Sequence, residues 1–237
     1  MSDEGGKAGN SGGEGLEGHV LVHKGGLLNA CVYRVTGADG RMWMEKDFSK
    51  SPWLVRNTVG RFLVFRECWI LRWLSGTDAV PTGVAKLSPF AMREDWCAGF
   101  TLRDSCCGVH SENLPGVKVV EGVPREVLDG PIPRTFFEAL EAGIRAVHKR
   151  GFVHLDLHNE RNVMVAPGYR PVILDWQSAL PLAKVPLLGR LLRRIDLAGV
   201  YKLWDRFRPG ELDEGRRSLL TRERFLRTHF WMPRIRI

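Results

Sequence analysis

Three side chains in one short stretch, Asp156, Asn162 and Asp175, carry oxygen donors at intervals that suit metal-assisted group transfer. The runs NVMV (162–165) and PVILD (171–175) are short and apolar, and the turn residues 166–170 between them predict a hairpin. In a hairpin the start of the first strand lies beside the end of the second. Asn162 and Asp175 therefore converge, with Asp156 in the loop leading in. Hard cations such as Mg2+ take oxygen ligands and bind through one or two carboxylates together with substrate phosphates. Asp175 and the Asn162 amide oxygen form such a half-site, and Asp156 is placed to orient or deprotonate an attacking hydroxyl. Each residue alone would serve equally as a turn cap or a loop-backbone partner. It is the ordered trio around one hairpin that points to phosphoryl transfer.

Several elements must position this trio. Residues 133–149 place Phe137, Leu140, Ile144 and Val147 at helical spacing, with Pro133 at the start and Gly151 after the end. Further upstream, HVLVHK, ACVYRV and RMWMEKDF between His19 and Phe48 read as three strands of an antiparallel meander, with turns at Gly25-Gly26 and at 37–40. Residues 61–74 are long and apolar. Phe62, Phe65, Trp69 and Trp73 at three- and four-residue steps predict a helix with a largely buried face. Residues 82–107 give two weaker strands, GVAKLSPFAM and CAGFTLRDSC, separated by a charged turn at Arg93, Glu94 and Asp95. Residues 108–133 read as a loop, and the glycine-rich stretch 1–18 as a disordered tail.

With 237 residues, 44% hydrophobic and 26% charged, the chain can bury a sizeable core. No window approaches the ~18 consecutive apolar residues of a membrane span, and no secretory signal pattern opens the sequence, so the expectation is a cytoplasmic protein. Five cysteines without a CxxC pair read as buried thiols. Of the net charge of +8, residues 190–237 carry +7, from thirteen Lys or Arg against six Asp or Glu. Such a balance suits an anionic partner, namely a membrane surface, a phosphorylated glycan or, more remotely, RNA. It equally suits a solvated basic helix.

The stretch HLDLHNERN (154–162), followed by ILDWQSA (173–179), resembles the catalytic loop and metal-binding segment of the protein-kinase-like fold. It is most similar to the bacterial lipopolysaccharide-core sugar kinases and the related RIO-type small kinases. The resemblance implies an α+β, two-lobed fold with a small antiparallel-sheet N-lobe (19–107) and a reduced, mainly helical C-lobe (108–237). It implies ATP and Mg2+ as cofactors, Asp156 as the catalytic aspartate, and Asn162 and Asp175 as metal ligands. His154 becomes a structural loop residue, and Asp196 an anchor of the catalytic loop. The interval from Asp156 to Asn162 is one residue longer than in most kinases, as in variants of the bacterial small-kinase group.

Such folds also need a lysine on the third strand to reach the nucleotide phosphates and a glutamate on the next helix to hold it. Lys46 and Glu67 occupy those places. Gly25 and Gly26 stand where the phosphate-covering loop belongs, although two glycines are fewer than GxGxxG. His158 replaces the usual lysine of Ser/Thr protein kinases, as in sugar, choline and antibiotic kinases. No peptide-docking segment is recognisable after Asp175. These features imply an acceptor that is an anionic, lipopolysaccharide-like glycan or a small hydroxyl compound, met at the inner membrane face. A RIO-like Ser/Thr protein kinase and an inactive kinase-like binding module are the alternatives. Residues 185–208 combine leucines with arginines and read as a terminal core helix pair with a basic outer face, the arginines being candidates for phosphorylated glycan or lipid headgroups.

Overall fold

The computed structural model describes residues 18–26, 28–106 and 131–229, with side chains described up to Glu223 in the last helix. The expected tail at 1–18 and the loop at 108–133 therefore lie almost wholly outside the described residues. β1 (His19–His23), β2 (Cys31–Thr36) and β3 (Met42–Asp47) form the expected meander. They belong to a five-stranded antiparallel sheet of order β1-β2-β3-β5-β4, completed by β4 (Ala85–Lys86) and β5 (Ala91–Asp95). β3 is central, and its Lys46 faces Val32 of β2 on one side and Met92 of β5 on the other.

β5 corrects one expectation. Arg93, Glu94 and Asp95 are strand residues, paired with Glu45, Met44 and Trp43. The run of charges suggested a turn, but pairing along the whole of β5 satisfies its backbone and buries Ala91, Met92 and Glu94, so tertiary pairing overrides composition.

Between β3 and β4 in the sequence comes α2 (Arg61–Trp73), entered through the short α1 (Trp53–Val55) and a π turn at Arg56–Gly60. Here a second expectation is inverted. The buried residues of α2 are Val64, Glu67, Cys68, Ile70 and Leu71, whereas Phe62, Phe65 and Trp73 are 59%, 58% and 60% exposed and Trp69 is 39% exposed. A helix apolar on two faces does not declare which one is the core. The smaller aliphatic face packs inward, as the Cys68–Met92 sulfur contact at 3.9 Å illustrates.

The remainder is mainly helical. α3 (Leu102–Cys106) follows β6 (Phe100–Thr101), which pairs with the hairpin of β7 (Val163–Ala166) and β8 (Arg170–Ile173) in a three-stranded sheet. α4 (Arg134–Arg150) matches the helix expected from its periodicity and ends on Gly151 at φ 105°, a left-handed cap that glycine adopts without strain. Phe136, Phe137, Leu140, Ile144 and Val147 of α4 are buried against α5 (Leu188–Phe207), where Phe137 stacks on Trp204 at 5.8 Å. α5 is one helix rather than a pair, and only its second half is core. Val200, Leu203 and Trp204 are fully buried, while Leu187, Leu188 and Leu191 are 78%, 43% and 42% exposed. α6 (Glu214–His229) closes the described chain. Of the cysteines expected to be buried thiols, Cys68 is buried while Cys31 and Cys97 are half-exposed, and all three are free. Among the described residues no helix is long and apolar enough to cross a membrane.

Candidate active site

The loop between α4 and β7 is fixed from below by one buried carboxylate. Asp196 of α5, 1% exposed, accepts the His154 N–H at 2.8 Å, the Leu155 N–H at 2.6 Å and the His148 Nε2–H at 2.9 Å. Leu155 sits at φ 70°, a left-handed conformation that is unusual for leucine and persists only where the surroundings over-determine it. The Asp196 bond to its amide supplies that constraint. His154 is fully buried against Trp176 at 4.9 Å. Its Nε2 lies 3.0 Å from the Leu174 carbonyl, which can only accept, so Nε2 carries the proton and Nδ1 accepts from the Asp156 amide at 3.3 Å. Ser178 Oγ donates to the His154 carbonyl at 2.6 Å. One turn along the same helix, α5 lies against the loop at Gly199, where a Cβ would lie 3.0 Å from the His158 nitrogen and the Leu157 carbonyl carbon. No side chain fits there without displacing the loop.

On this platform Asp156 and Asn162 are joined. The Asn162 amide Nδ2 donates to the Asp156 carbonyl at 3.1 Å and to its carboxylate Oδ2 at 2.7 Å. Asn162 is 4% exposed and ends a 3-10 turn at Glu160–Asn162. The hairpin register sets Val163 opposite Ile173, and the Leu174 N–H donates to the Asn162 carbonyl at 2.8 Å. Asp175 is therefore next to Asn162 in space, as the hairpin argument requires. It is exposed, stands at φ 58°, and caps the turn Trp176–Ser178 by accepting from the Gln177 N–H at 3.4 Å. His158 Nδ1 lies 3.4 Å from Asp156 Oδ1, on the side of the carboxylate away from Asn162.

The sheet brings the other half. Lys46 and Glu67, 8% and 1% exposed, form a buried ion pair. Burial works against the Lys46 ammonium, but the carboxylates of Glu67, Glu94 and Asp175 outweigh it and hold its pKa above the ordinary lysine range. The same coupling places Asp175 within electrostatic reach of Lys46. Arg66, which rotation about the helix points away from this pair, donates to the Ala179 carbonyl instead. Gly25 and Gly26 stand in the β1–β2 connection, near the end of β2 that faces Lys46. Gly25 is closely packed, since a Cβ there would lie 2.3 Å from the Asn29 carbonyl oxygen, whereas Gly26 meets only the Asn29 side chain at 3.8 Å.

Sequence reasoning missed Glu94. It is 3% exposed, and burial pushes its pKa up to about 7, with Lys46 opposing and Glu67 and Asp175 adding to the rise. The signal was present in the alternation of Met92 and Glu94 on one face of a strand, concealed by three consecutive charges. Because folded Glu94 keeps its proton above its ordinary value of 4.5, the folded state binds more protons than the unfolded chain between those values. Stability therefore falls as pH rises from about 4.5 to 7, by roughly 2–3 kcal/mol. Glu94→Gln is expected to raise the urea midpoint above pH 7 and to converge with the wild type in acid. Parallel pH profiles of the two proteins would show that Glu94 does not titrate in this range.

Among the described residues no group of three or more His, Cys, Asp or Glu side chains forms a metal cage. The donor set beside Asp156 is smaller and harder. The Asn162 Nδ2 is engaged by Asp156, which leaves its carbonyl oxygen for a cation, and the Asp175 carboxylate is exposed beside it. Two oxygens with room for phosphates and water suit Mg2+.

No protein-family model matches the chain, and no curated protein does. Among solved structures, the chain is similar to the Rio2 kinase–ADP/Mg2+-phosphoaspartate complex from Chaetomium thermophilum, at 15% identity and a TM-score of 0.54. The match covers 85% of this chain and 61% of that one, so the chain spans less than two thirds of the Rio2 kinase chain. The fold is protein-kinase-like: an antiparallel-sheet N-terminal region followed by a helical C-terminal part.

Proposed function

We propose that this chain is an ATP- and Mg2+-dependent phosphotransferase that phosphorylates a sugar hydroxyl of a lipopolysaccharide-type glycan or a similar small hydroxyl compound. The observation that carries the reading is the joined pair Asp156–Asn162 on an anchored loop beside Asp175, together with the buried Lys46–Glu67 pair. A binding module has no chemical need for all five groups in this arrangement. Lys46, oriented by Glu67, holds the α- and β-phosphates, and the backbone of Gly25 and Gly26 approaches them from the sheet side. Asn162 and Asp175 hold Mg2+, which when bound supplies neutralisation of phosphate charge. Asp156 accepts the hydrogen bond of the acceptor hydroxyl, aligns it with the phosphorus and takes its proton. His158 at the Asp156 carboxylate and the basic α5 favour a small, anionic acceptor.

The kinase-like fold match favours a second reading, a RIO-like kinase acting on protein Ser or Thr. One experiment decides: transfer from γ-labelled ATP with Mg2+ to deacylated lipopolysaccharide cores, simple sugars and generic proteins. Label in a glycan is the expected result, and label confined to protein acceptors would establish the second reading. The Rio2 complex carries phosphoaspartate, so label retained on the enzyme must also be chased. If that label passes on to the acceptor, direct transfer aligned by Asp156 is wrong. Absence of both transfer and stabilisation by Mg-ATP would leave a binding module.

A further inference from the structure

The outward face of α2 plays no part in the site, and its chemistry is distinctive. Phe62, Phe65, Trp69 and Trp73 follow at steps of three and four residues and so share one stripe, three of them 58–60% exposed. Trp53 and Leu54 in α1, at the helix entrance, are 69% and 65% exposed. Large aromatic side chains gathered in the open mark a contact surface.

The charges around the stripe have one sign. Residues 50–77 contain five Lys or Arg and a single acid, Glu67, which is buried on the opposite side against Lys46. Two cations lie against the stripe itself, Arg66 over the Phe62 ring and Lys86 over the Phe65 ring, each at 5.9 Å. Arg150 ties the end of the helix to the loop platform through the Trp73 and Ser75 carbonyls, at 3.0 and 2.7 Å. The helix is packed there on the segment that leads to residues 179–194. Trp69 packs on Phe152 at 5.5 Å, Val153 pairs with Leu180, and the Ala183 N–H donates to the Gly151 carbonyl at 3.0 Å. Beyond Ala183 follow the exposed Leu187, Leu188 and Leu191, in a stretch from 176 to 195 that holds four Lys or Arg and no acid.

We propose that this aromatic and cationic face, α2 with the adjoining segment 179–194, docks on the surface of an anionic phospholipid bilayer. Trp and Phe rings settle at the headgroup level, where an apolar body and a polar edge are both satisfied, and arginines around them pair with lipid phosphates. A second copy of the chain is a poor occupant, because a two-fold contact would set this cationic face against itself. The association is peripheral and reversible. It goes beyond the phosphotransferase reading and does not depend on it.

The test is co-sedimentation of the full chain with vesicles of phosphatidylcholine alone or mixed with phosphatidylglycerol. Binding is expected only to the anionic vesicles and should weaken with salt. The variant F62A/F65A/W73A removes three exposed side chains, and R61E/R72E reverses two flanking charges. Each is expected to lower partitioning about tenfold or more while circular dichroism and the urea midpoint stay at wild-type values. Retained binding by both variants, or none by the wild type, overturns the proposal. So does light scattering that shows a dimer which the triple aromatic variant turns into monomer, because the face is then a self-association surface. Vesicle binding without Mg-ATP stabilisation would fail the phosphotransferase reading and leave the lipid site standing.

Discussion

Asp156→Asn is expected to lower turnover by about 10²–10⁴-fold while Mg-ATP stabilises the variant as it does the wild type. The size follows from the one thing the substitution removes. An amide at position 156 keeps the shape of the side chain, and its oxygen can still accept the Asn162 Nδ2–H that Asp156 Oδ2 accepts at 2.7 Å. The loop therefore keeps this link, and the Asn162 side-chain oxygen stays available for the proposed metal. What disappears is a charged acceptor facing the hydroxyl, on the Oδ1 side where His158 stands at 3.4 Å. In the proposed mechanism the nucleotide contacts run through Lys46 and Asp175, which the substitution leaves untouched. Turnover within a factor of a few of wild type, in the assay that detects wild-type transfer, would refute the assignment of Asp156.

The parts of the site legible in the sequence were those fixed by local geometry. A hairpin has one way of bringing its ends together, so Asn162 and Asp175 could be placed from turn residues alone. A strand of period two and a helix of period 3.6 then decide that Lys46 and Glu67, rather than Glu45 or Arg66, face each other. The contributions of Asp196, His148 and Glu94 needed tertiary structure. Asp196 lies more than forty positions from the backbone amides it holds, and only the resemblance to kinases had suggested it. His148 lies in the last turn of α4, and nothing local to that helix marks its partner Asp196. Glu94 read as part of a charged turn because nothing local reveals that β5 lies beside β3.

The fold shows the same division. α4, with one apolar face, was placed with that face correctly inward. α2 was placed correctly as a helix and wrongly by face, since both candidate stripes are apolar and the more hydrophobic-looking aromatic one is outside. The Lys46–Glu67 pair explains the choice. The face that carries Glu67 must turn toward Lys46, and the rows beside it, Val64, Cys68 and Leu71, go inward with it whatever the aromatics prefer. The exposed ends of α5 follow the same logic: Leu187, Leu188 and Leu191 precede the half of the helix that α4 covers.

Asp196→Ala is expected to be the most destabilising single change in the molecule, at about 3–5 kcal/mol, a large part of the ~5–15 kcal/mol that holds a domain folded. The carboxylate is 1% exposed and accepts three hydrogen bonds, so its loss strands the His154 and Leu155 amides and the His148 Nε2–H in a dry interior. Asp196→Asn separates stability from positioning. Its oxygen can replace Oδ2, which serves His154 and His148, but its amide group must then face the Leu155 N–H, donor against donor. The variant should keep much of the stability that alanine loses. Leu155, held at φ 70° only while its amide is anchored, is then released toward an ordinary conformation, and Asp156 moves with it. Turnover should consequently fall in Asp196→Asn by far more than its urea midpoint does, with Mg-ATP stabilisation preserved. If both variants unfold at the wild-type midpoint, the carboxylate is not the loop's anchor. If asparagine loses stability and turnover in proportion, Asp196 supports the fold without positioning Asp156.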